Sequence, residues 1–201
     1  ITGSKLLKPI SYKENLGSAQ CKSALLFAAL KTSGKTKLLC LPSRNHTEIM
    51  LKKILKVPIK IKKQKKYESI QVDGLKEFKS FNYNIPGDIS SASFFIVLTL
   101  LSKNKTLLIK NININPTRTG IIKILNMMGA QLRLYNKKIY KGEEIADIFI
   151  KSNQNLKAIN LNPKLNSSAI DEFLLIFLVA STCRGISTFK SLSELNKKES
   201  K

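Results

Sequence analysis

The sequence predicts an α/β fold in which helices lie inside and half-exposed sheets lie outside, the reverse of the usual α/β layering. Three segments share one succession of elements: small or polar residues, an apolar helix, a polar turn, a strand with a threonine, and a second helix. The threonines that mark these strands are Thr36, Thr106 and Thr188. A period of about 70 to 80 residues is too long for a solenoid and suits repeated small α/β subdomains.

The two helices of each segment differ in where their apolar residues lie. The first is apolar nearly all round, as in "FFIVLTLL" at 94–101, so we expect it to be buried on every side. The second is amphipathic: in the first segment, Ile49 and Leu51 are opposed by Lys52 and Lys53. A helix of this kind covers a core with one face and meets solvent with the other.

The predicted strands alternate between apolar and polar residues. The stretches "SIQVD" at 69–73, "NININ" at 111–115 and "QLRLY" at 131–135 each place their apolar residues on one face. Period-2 alternation is typical of a sheet with one buried and one wet face. Buried helices behind such sheets give the inside-out layering.

The chain has 201 residues and a formal net charge of +22, and only four of its 35 basic residues are arginines. A basic nucleic-acid-binding module is one interpretation of that charge. We favour a solvated basic surface that steers anionic substrates, because the lysines are spread along the whole chain and nucleic-acid binders prefer arginine. We therefore expect no nucleic-acid partner.

Targeting and cysteine patterns predict the compartment. The first residues lack a signal-peptide pattern, and the longest apolar run, 173–180, is shorter than the roughly 20 residues of a spanning helix. We expect a soluble, cytoplasmic piece of a longer protein, with no membrane partner. Cys21, Cys40 and Cys183 are isolated, which predicts buried apolar thiols in a reducing compartment. His46 is the only histidine, so we expect no metal site.

The helix starts are candidate anion sites, because unpaired backbone N–H groups and the positive end of the helix dipole meet there. Ser18, Ala19 and Gln20 open the first apolar helix, where Ser18 offers a hydroxyl and Gln20 an amide. The stretch "SRNHTE" at 43–48 opens the next helix and adds Arg44, whose guanidinium suits a phosphate or a carboxylate. N-capping by serine is the alternative explanation for these positions.

Charged residues in the second half are the other candidates. Asp171 stands beside Glu172 at the head of the most apolar helix. A carboxylate in that position is commonly structural, but it can also act as a base whose pKa is set by desolvation and by its partners. Arg118 in "NPTRTG" can bind an anion or form a surface ion pair, and Lys198 and Glu199 alone look like a charged tail.

Seven stretches together make the chain similar to the EPSP (5-enolpyruvylshikimate-3-phosphate) synthase family. In chain order they are "SAQCKSALLFAAL", "SRNHTE", "IPGDISSASFF", "NPTRTG", "MMGA", "AIDEFLLIFLVAS" and "SELNKKES". The resemblance covers essentially all 201 residues. It implies an inside-out α/β barrel of repeated βαβαββ units, the enolpyruvyl transferase fold, of which this chain holds a part.

The resemblance also implies a reaction. Members of the family transfer the enolpyruvyl group of phosphoenolpyruvate to the 5-hydroxyl of shikimate 3-phosphate. The transfer proceeds by addition and then elimination of phosphate, through a tetrahedral intermediate, with no metal or organic cofactor. The implied partners are therefore these two substrates, and we expect a monomer.

The resemblance assigns substrate-binding positions at the two helix starts of the first segment. Ser18, Ala19 and Gln20 match the loop that holds shikimate 3-phosphate, and Gln20 is also placed near phosphoenolpyruvate. Ser43 and Arg44 are placed near the substrate phosphate.

It assigns catalytic positions in the second half. Asp171 matches the carboxylate that binds the shikimate hydroxyls and accepts a proton. Lys198 matches the site lysine, and Glu199 the adjacent acid in proton transfer. Asn196 and Lys197 depart from the Arg-Val pair that usually precedes this lysine.

The polar stretch that ends in "IPGD" at 85–88 predicts a domain boundary. The resemblance implies that residues 1–84 are the last part of the first enolpyruvyl transferase domain and that residues 85–201 are the first part of the second. The family's other site residues then fall outside this chain, so we expect it not to turn over alone. A non-catalytic relative and a basic binding module are the alternatives.

Overall fold

The computed structural model describes residues 6–74, 77–153 and 155–197. The chain divides into two compact units, Ile1–Tyr83 and Asn84–Lys201. Their assignment as parts of two enolpyruvyl transferase domains stays a prediction.

The first unit contains a four-stranded mixed sheet and two helices. The strand order is β1-β2-β4-β3; β1 runs parallel to β2, and β4 runs antiparallel to both β2 and β3. In chain order the elements are β1 (Ser11–Glu14), α1 (Ala19–Ala29), β2 (Lys35–Cys40), α2 (His46–Lys53), β3 (Ile59–Lys63) and β4 (Glu68–Asp73).

The core of the first unit lies between this sheet and the helices. The predicted alternation at 69–73 is confirmed, since Ile70 and Val72 are fully buried and the polar residues between them are not. From α1, Leu26 and Ala29 reach the same core. Their spacing of three residues puts both on one face of the helix.

The second unit contains a three-stranded antiparallel sheet with the order β5-β7-β6. One apolar face of each helix is buried in a single cluster together with this sheet. In chain order the elements are α3 (Ile89–Leu101), β5 (Thr106–Asn113), α4 (Gly120–Met127), β6 (Arg133–Tyr140), β7 (Glu143–Lys151), a 3-10 helix (Pro163–Ser168), α5 (Phe173–Ser181) and a 3-10 helix (Ser193–Lys197).

Both neighbours of the central strand β7 are irregular. The register is interrupted once on each side, around Asn111 in β5 and Asn136 in β6. Both asparagines adopt positive φ angles, 57° and 51°, a region that asparagine tolerates better than most residues. The carboxylate of Asp147 holds both, accepting from the Asn111 backbone N–H at 2.8 Å and from Asn136 Nδ2 at 2.7 Å.

These bonds predict a pH dependence. The hydrogen bond from the Asn136 side chain, followed by that from the Asn111 backbone, lowers the pKa of Asp147 below 3.8. A carboxylate with a depressed folded pKa stabilises the fold above its unfolded pKa, and this contribution is lost as the pH falls through the folded value. Between about pH 5 and pH 2, we expect wild type to lose more stability than Asp147→Asn. The free energy of unfolding of both proteins is measured at each pH by urea denaturation, followed on the NMR amide peaks of the second unit. Parallel pH profiles for the two proteins would contradict the prediction.

One expectation about the helices is wrong for this chain. The apolar first helices are not buried on every side: in α3, Phe94, Phe95 and Leu98 are 64%, 59% and 65% exposed, and in α5 Leu174 is 65% exposed. The elements of each unit lie against one side of these helices. They therefore bury residues spaced three and four apart and leave the remaining apolar face open.

The third repeat also departs from the expectation. Thr188 forms a single bridge to Asn160 instead of a strand, and the predicted second helix is the short 3-10 helix at Ser193–Lys197. The expectation of buried thiols is confirmed for Cys40 and wrong for Cys21, which is exposed. Within the described ranges, no helix is long and apolar enough to cross a membrane.

Candidate functional site

The loop before α1 is held by a buried carboxylate. Glu14, at the end of β1, is 3% exposed. It accepts hydrogen bonds from the backbone N–H groups of Leu16, Gly17 and Ser18 at 2.6, 3.0 and 3.4 Å. The hydroxyl of Ser18 then accepts from the N–H of Cys21 at 3.2 Å and caps the helix. Glu14, which was not among the predicted site residues, therefore holds the backbone that leads into the "SAQ" stretch.

The predicted binding residues of this loop reach the surface. Ser18 and Ala19 are half-buried, and Gln20 is exposed, with Ser18 Oγ 3.4 Å from Gln20 Oε1. Gly17 has a φ of 68°, a left-handed conformation that suits glycine and turns the chain into the helix. The N-capping explanation for Ser18 is confirmed, and capping leaves the Gln20 side chain facing outward.

A buried ion pair joins α1 to α2. Lys22 Nζ lies 2.6 Å from Glu48 Oε1, and the two side chains are 0% and 2% exposed. Beside this pair, the hydroxyls of the adjacent residues Ser23 and Thr47 are 2.7 Å apart and hydrogen-bonded. Both contacts link the beginnings of the two helices. Sequence reasoning missed this pair; the available signal was a lysine inside an otherwise apolar helix.

The two site residues before α2 lie in a loop. Helix α2 begins at His46, so Ser43 and Arg44 precede it by two to three residues instead of opening it as expected. Both are half-buried. The Oγ of Ser43 is buried and has no hydrogen-bond partner among the described residues, so it keeps its capacity to bond a ligand.

Cys40 lies at the end of β2, near Glu14, Lys22 and Glu48. Burial raises the pKa of its thiol to about 11, with Lys22 acting in the opposite direction and Glu14 and Glu48 in the same direction. The thiol is therefore protonated and inert at neutral pH. It serves as a core side chain beneath the predicted substrate loops.

In the second unit, three helix starts meet through polar side chains. Asp88 caps α3 by accepting from the N–H of Ser91 at 2.9 Å. Arg118, before α4, donates from Nη2 to Asp88 Oδ1 at 2.9 Å and to Ser90 Oγ at 2.5 Å. Ser90 Oγ in turn donates to Glu172 Oε1, at the head of α5.

The turn that carries Arg118 is itself fixed. Asn115 is 2% exposed, and its Oδ1 accepts from the N–H and the hydroxyl of Thr117 at 2.9 and 2.7 Å. Its Nδ2 donates to the buried carboxylate of Glu143 at 3.1 Å. These bonds explain the "NPTRTG" motif as a turn that orients an arginine.

The two acids at the head of α5 have different surroundings. Asp171 is exposed, whereas Glu172 is 2% exposed and bonded to Ser90. Exposure leaves the Asp171 carboxylate accessible to a substrate. Lys198 and Glu199 lie outside the described residues. In the part of the chain that the structure covers, no group of three or more His, Cys, Asp or Glu residues could hold a metal ion.

The segment before Asp171 packs tightly against the start of α4. A Cβ atom on Gly120 would lie 2.7 Å from both the carbonyl carbon of Ser168 and Cβ of Ala169. We expect Gly120→Ala to destabilise the second unit by about 1–3 kcal/mol, because the backbone must move to accept the methyl group. The loss in free energy of unfolding is measured by urea denaturation, followed on the NMR amide peaks of the second unit. Lys123→Ala, an exposed change in the same helix, is the control, and equal effects of both changes would contradict the prediction.

Comparison with known proteins supports the fold. The structure superposes on EPSP synthase from Acinetobacter baumannii with a TM-score of 0.84 at 38% identity, covering 98% of this chain and 44% of that one. The enolpyruvyl transferase NikO from Streptomyces tendae gives a TM-score of 0.64 at 15% identity, covering 90% of this chain and 44% of that one. The predicted fold class, a partial enolpyruvyl transferase fold, is confirmed.

The sequence comparisons are more specific. The family model for EPSP synthase (3-phosphoshikimate 1-carboxyvinyltransferase) matches residues 1–201. The 3-phosphoshikimate 1-carboxyvinyltransferase of Petrotoga mobilis is 41% identical over 99% of this chain and 45% of its own length. The chain belongs to the EPSP synthase family, and it spans less than half the length of the curated relatives it matches.

Proposed function

We propose that this chain supplies part of the active site of an EPSP synthase, which transfers the enolpyruvyl group of phosphoenolpyruvate to the 5-hydroxyl of shikimate 3-phosphate. The observation that carries the proposal is the family match along all 201 residues. Two groups of residues described above support it. The first cluster is Ser18, Ala19, Gln20, Ser43 and Arg44, and the second cluster is Asp88, Ser90, Arg118, Asp171 and Glu172.

The first cluster suits an anionic substrate. Ser18 caps α1, and Ala19 and Gln20 lie in its first turn, whose N–H groups favour negative charge. Ser43 adds a buried hydroxyl, and Arg44 a guanidinium that can bond phosphate with two donors. We propose that these residues hold shikimate 3-phosphate and that Gln20 also contacts phosphoenolpyruvate.

The second cluster supplies the proton acceptor. In our proposal Asp171 binds the shikimate hydroxyls. It takes the proton of the 5-hydroxyl while the oxygen of that hydroxyl adds to phosphoenolpyruvate. Lys198 and Glu199 have the roles that the resemblance gives them, substrate binding and proton transfer during addition and elimination of phosphate. Electrostatic groups fixed in advance are usually the largest contribution to such catalysis.

The experiment is a chimera in which residues 1–201 replace the matching 45% of the Petrotoga mobilis relative. Phosphate release with both substrates is measured beside the parent relative, after circular dichroism and gel filtration have shown a folded monomer. We expect turnover from the chimera and none from the 201-residue chain alone. A folded chimera without phosphate release would overturn the proposal.

The nucleic-acid alternative is not favoured by the comparisons, and it has its own test. A nucleic-acid module would bind DNA or RNA with a steep dependence on salt concentration. We expect instead that shikimate 3-phosphate raises the melting temperature of the folded chimera, because a ligand that binds only the folded state stabilises it.

A further inference from the structure

The side chains of Arg118, Ser90 and Glu172 form a hydrogen-bonded series, which we call the serine relay. Arg118 Nη2 lies 2.5 Å from Ser90 Oγ, and Ser90 Oγ bonds Glu172 Oε1. The relay connects the turn before α4, the first turn of α3 and the head of α5. No residue in it was assigned a role by the family resemblance.

The chemistry of the three groups fixes the direction of the relay. A guanidinium has only donors, so the Ser90 oxygen must accept from Arg118. The hydroxyl hydrogen of Ser90 is then left to donate to Glu172, which accepts as a carboxylate. Both bonds involve an ionised group, and such bonds are shorter and stronger than neutral ones.

The relay stabilises Glu172 in its buried position. A carboxylate that is 2% exposed is costly to hold ionised unless it receives hydrogen bonds. Arg118, whose side chain is 18% exposed, brings positive charge to it through Ser90. Asp88 holds the guanidinium from the other side at 2.9 Å.

The relay therefore fixes one of two adjacent acids and leaves the other accessible. Asp171 is joined to Glu172 by one peptide bond, so a rotation of the Glu172 backbone moves the Asp171 carboxylate. The N–H of Glu172 donates to Ala169 O, and the N–H of Ile176 donates to Glu172 O, both at 3.0 Å. The head of α5 is thus held by its backbone and by the relay together.

We propose that the Arg118–Ser90–Glu172 relay is a positioning device that sets the orientation of Asp171. Its residues need not touch the substrate, and its catalytic consequence rests on the function proposed above for Asp171. A displacement of a reacting group by about 1 Å can cost on the order of 100-fold in rate. Loosening the relay should therefore lower the rate of the chemical step more than it weakens substrate binding.

The first test is amide hydrogen exchange of the 201-residue chain. Ser90→Ala removes the hydroxyl and should speed exchange at the Glu172 and Ile176 amides by about tenfold or more, as expected for losing a bond to a charged group. Ser90→Thr keeps a hydroxyl and should restore slow exchange. The amide of Thr182, which bonds Val179 at the far end of α5, should stay as in wild type.

Ser91→Ala is the matched control. Ser91 is exposed and lies in the same turn, and its hydroxyl donates to Asp88 at 3.2 Å. Alanine favours helix at both positions, so neither change should unfold the unit. If Ser90→Ala does unfold it, Arg118→Gln tests the other end of the relay. Exchange at α5 that is unchanged by Ser90→Ala or by Arg118→Gln would overturn the proposal.

The second test is kinetic and uses the chimera. Ser90→Ala should lower kcat by about 10- to 100-fold and leave KM for both substrates within about twofold. Ser90→Thr should recover most of kcat, and Ser91→Ala should resemble wild type. Equal effects of Ser90→Ala and Ser91→Ala in an active chimera would overturn the proposal. A folded chimera that is inactive with the wild-type sequence overturns the proposed function instead, and the exchange experiment still decides the positioning.

Discussion

Replacing Lys22 with methionine is expected to destabilise the first unit by about 3–5 kcal/mol, because the change leaves the carboxylate of Glu48 buried without its partner. The pair is in contact at 2.6 Å with both side chains 2% exposed or less. Glu48 Oε2 has no hydrogen-bond partner among the described residues, so little else compensates its charge. Methionine fills a similar volume, which confines the effect to the lost charge.

The double variant Lys22→Met with Glu48→Leu separates charge from packing. Replacing a buried ion pair with apolar residues of similar volume is often neutral or stabilising, so most of the lost stability should return. The exposed change Lys31→Met should stay within about 0.5 kcal/mol of wild type. The free energy of unfolding is measured by urea denaturation, followed on the NMR amide peaks of the first unit. A single Lys22→Met variant as stable as Lys31→Met would contradict the prediction.

The pair also bears on the proposed binding of shikimate 3-phosphate. It joins the first turns of α1 and α2; Gln20 lies in the first turn of α1, and Ser43 lies in the loop before α2. Buried ion pairs add little net stability compared with apolar packing. We expect this pair to fix the relative placement of the two helix starts, because both of its side chains are buried and in contact. The double variant should therefore fold while binding shikimate 3-phosphate more weakly in the chimera.

The fold could be predicted where pattern and burial agree. Alternation placed Ile70 and Val72 in the core, and both are fully buried. N-capping by serine was the alternative explanation for the start of α1, and Ser18 forms that cap. These features depend on neighbours within a few residues, which a sequence pattern records directly. The irregular pairing around Asn111 depends on Asp147 in another strand, and no local pattern predicts it.

The exposed apolar faces could not be predicted for a related reason. An apolar residue such as Phe94 shows that a surface can be buried, but the pattern does not say which element buries it. The pattern of "FFIVLTLL" therefore predicts the same helix whether one side or both are covered. In the second unit the described elements cover one side, and the other remains open.

The exposed residues of the candidate site were predicted from the sequence, and the buried residues that hold them were not. Residues such as Gln20 and Asp171 were identified from the helix starts and from the family resemblance. Glu14, Lys22 and Glu172, which hold those helix starts, were not, because a charged residue in a sequence is read as exposed until its partner is known. The partner of each lies elsewhere in the chain or in the backbone of a loop, so only the structure shows it.

Asp171→Asn in the chimera is expected to lower kcat by about 100- to 10,000-fold, the usual contribution of a positioned proton acceptor. Asparagine has nearly the same shape and can still bond the shikimate hydroxyls, but it cannot take up the proton of the 5-hydroxyl. KM for shikimate 3-phosphate should therefore change far less than kcat. Steady-state phosphate release at saturating substrate measures the effect.

The matched control is Glu144→Gln, which neutralises an exposed carboxylate on β7 of the same unit. It should leave kcat within about twofold, because surface changes away from the site rarely matter. If Asp171→Asn also keeps kcat within tenfold of wild type while the chimera stays folded, the proton is accepted by another group. Since Glu172 is buried and already bonded to Ser90, it is a poor candidate for that acceptor. The outcome therefore tests whether the two neighbouring acids divide their roles as their surroundings indicate, with Glu172 structural and Asp171 reactive.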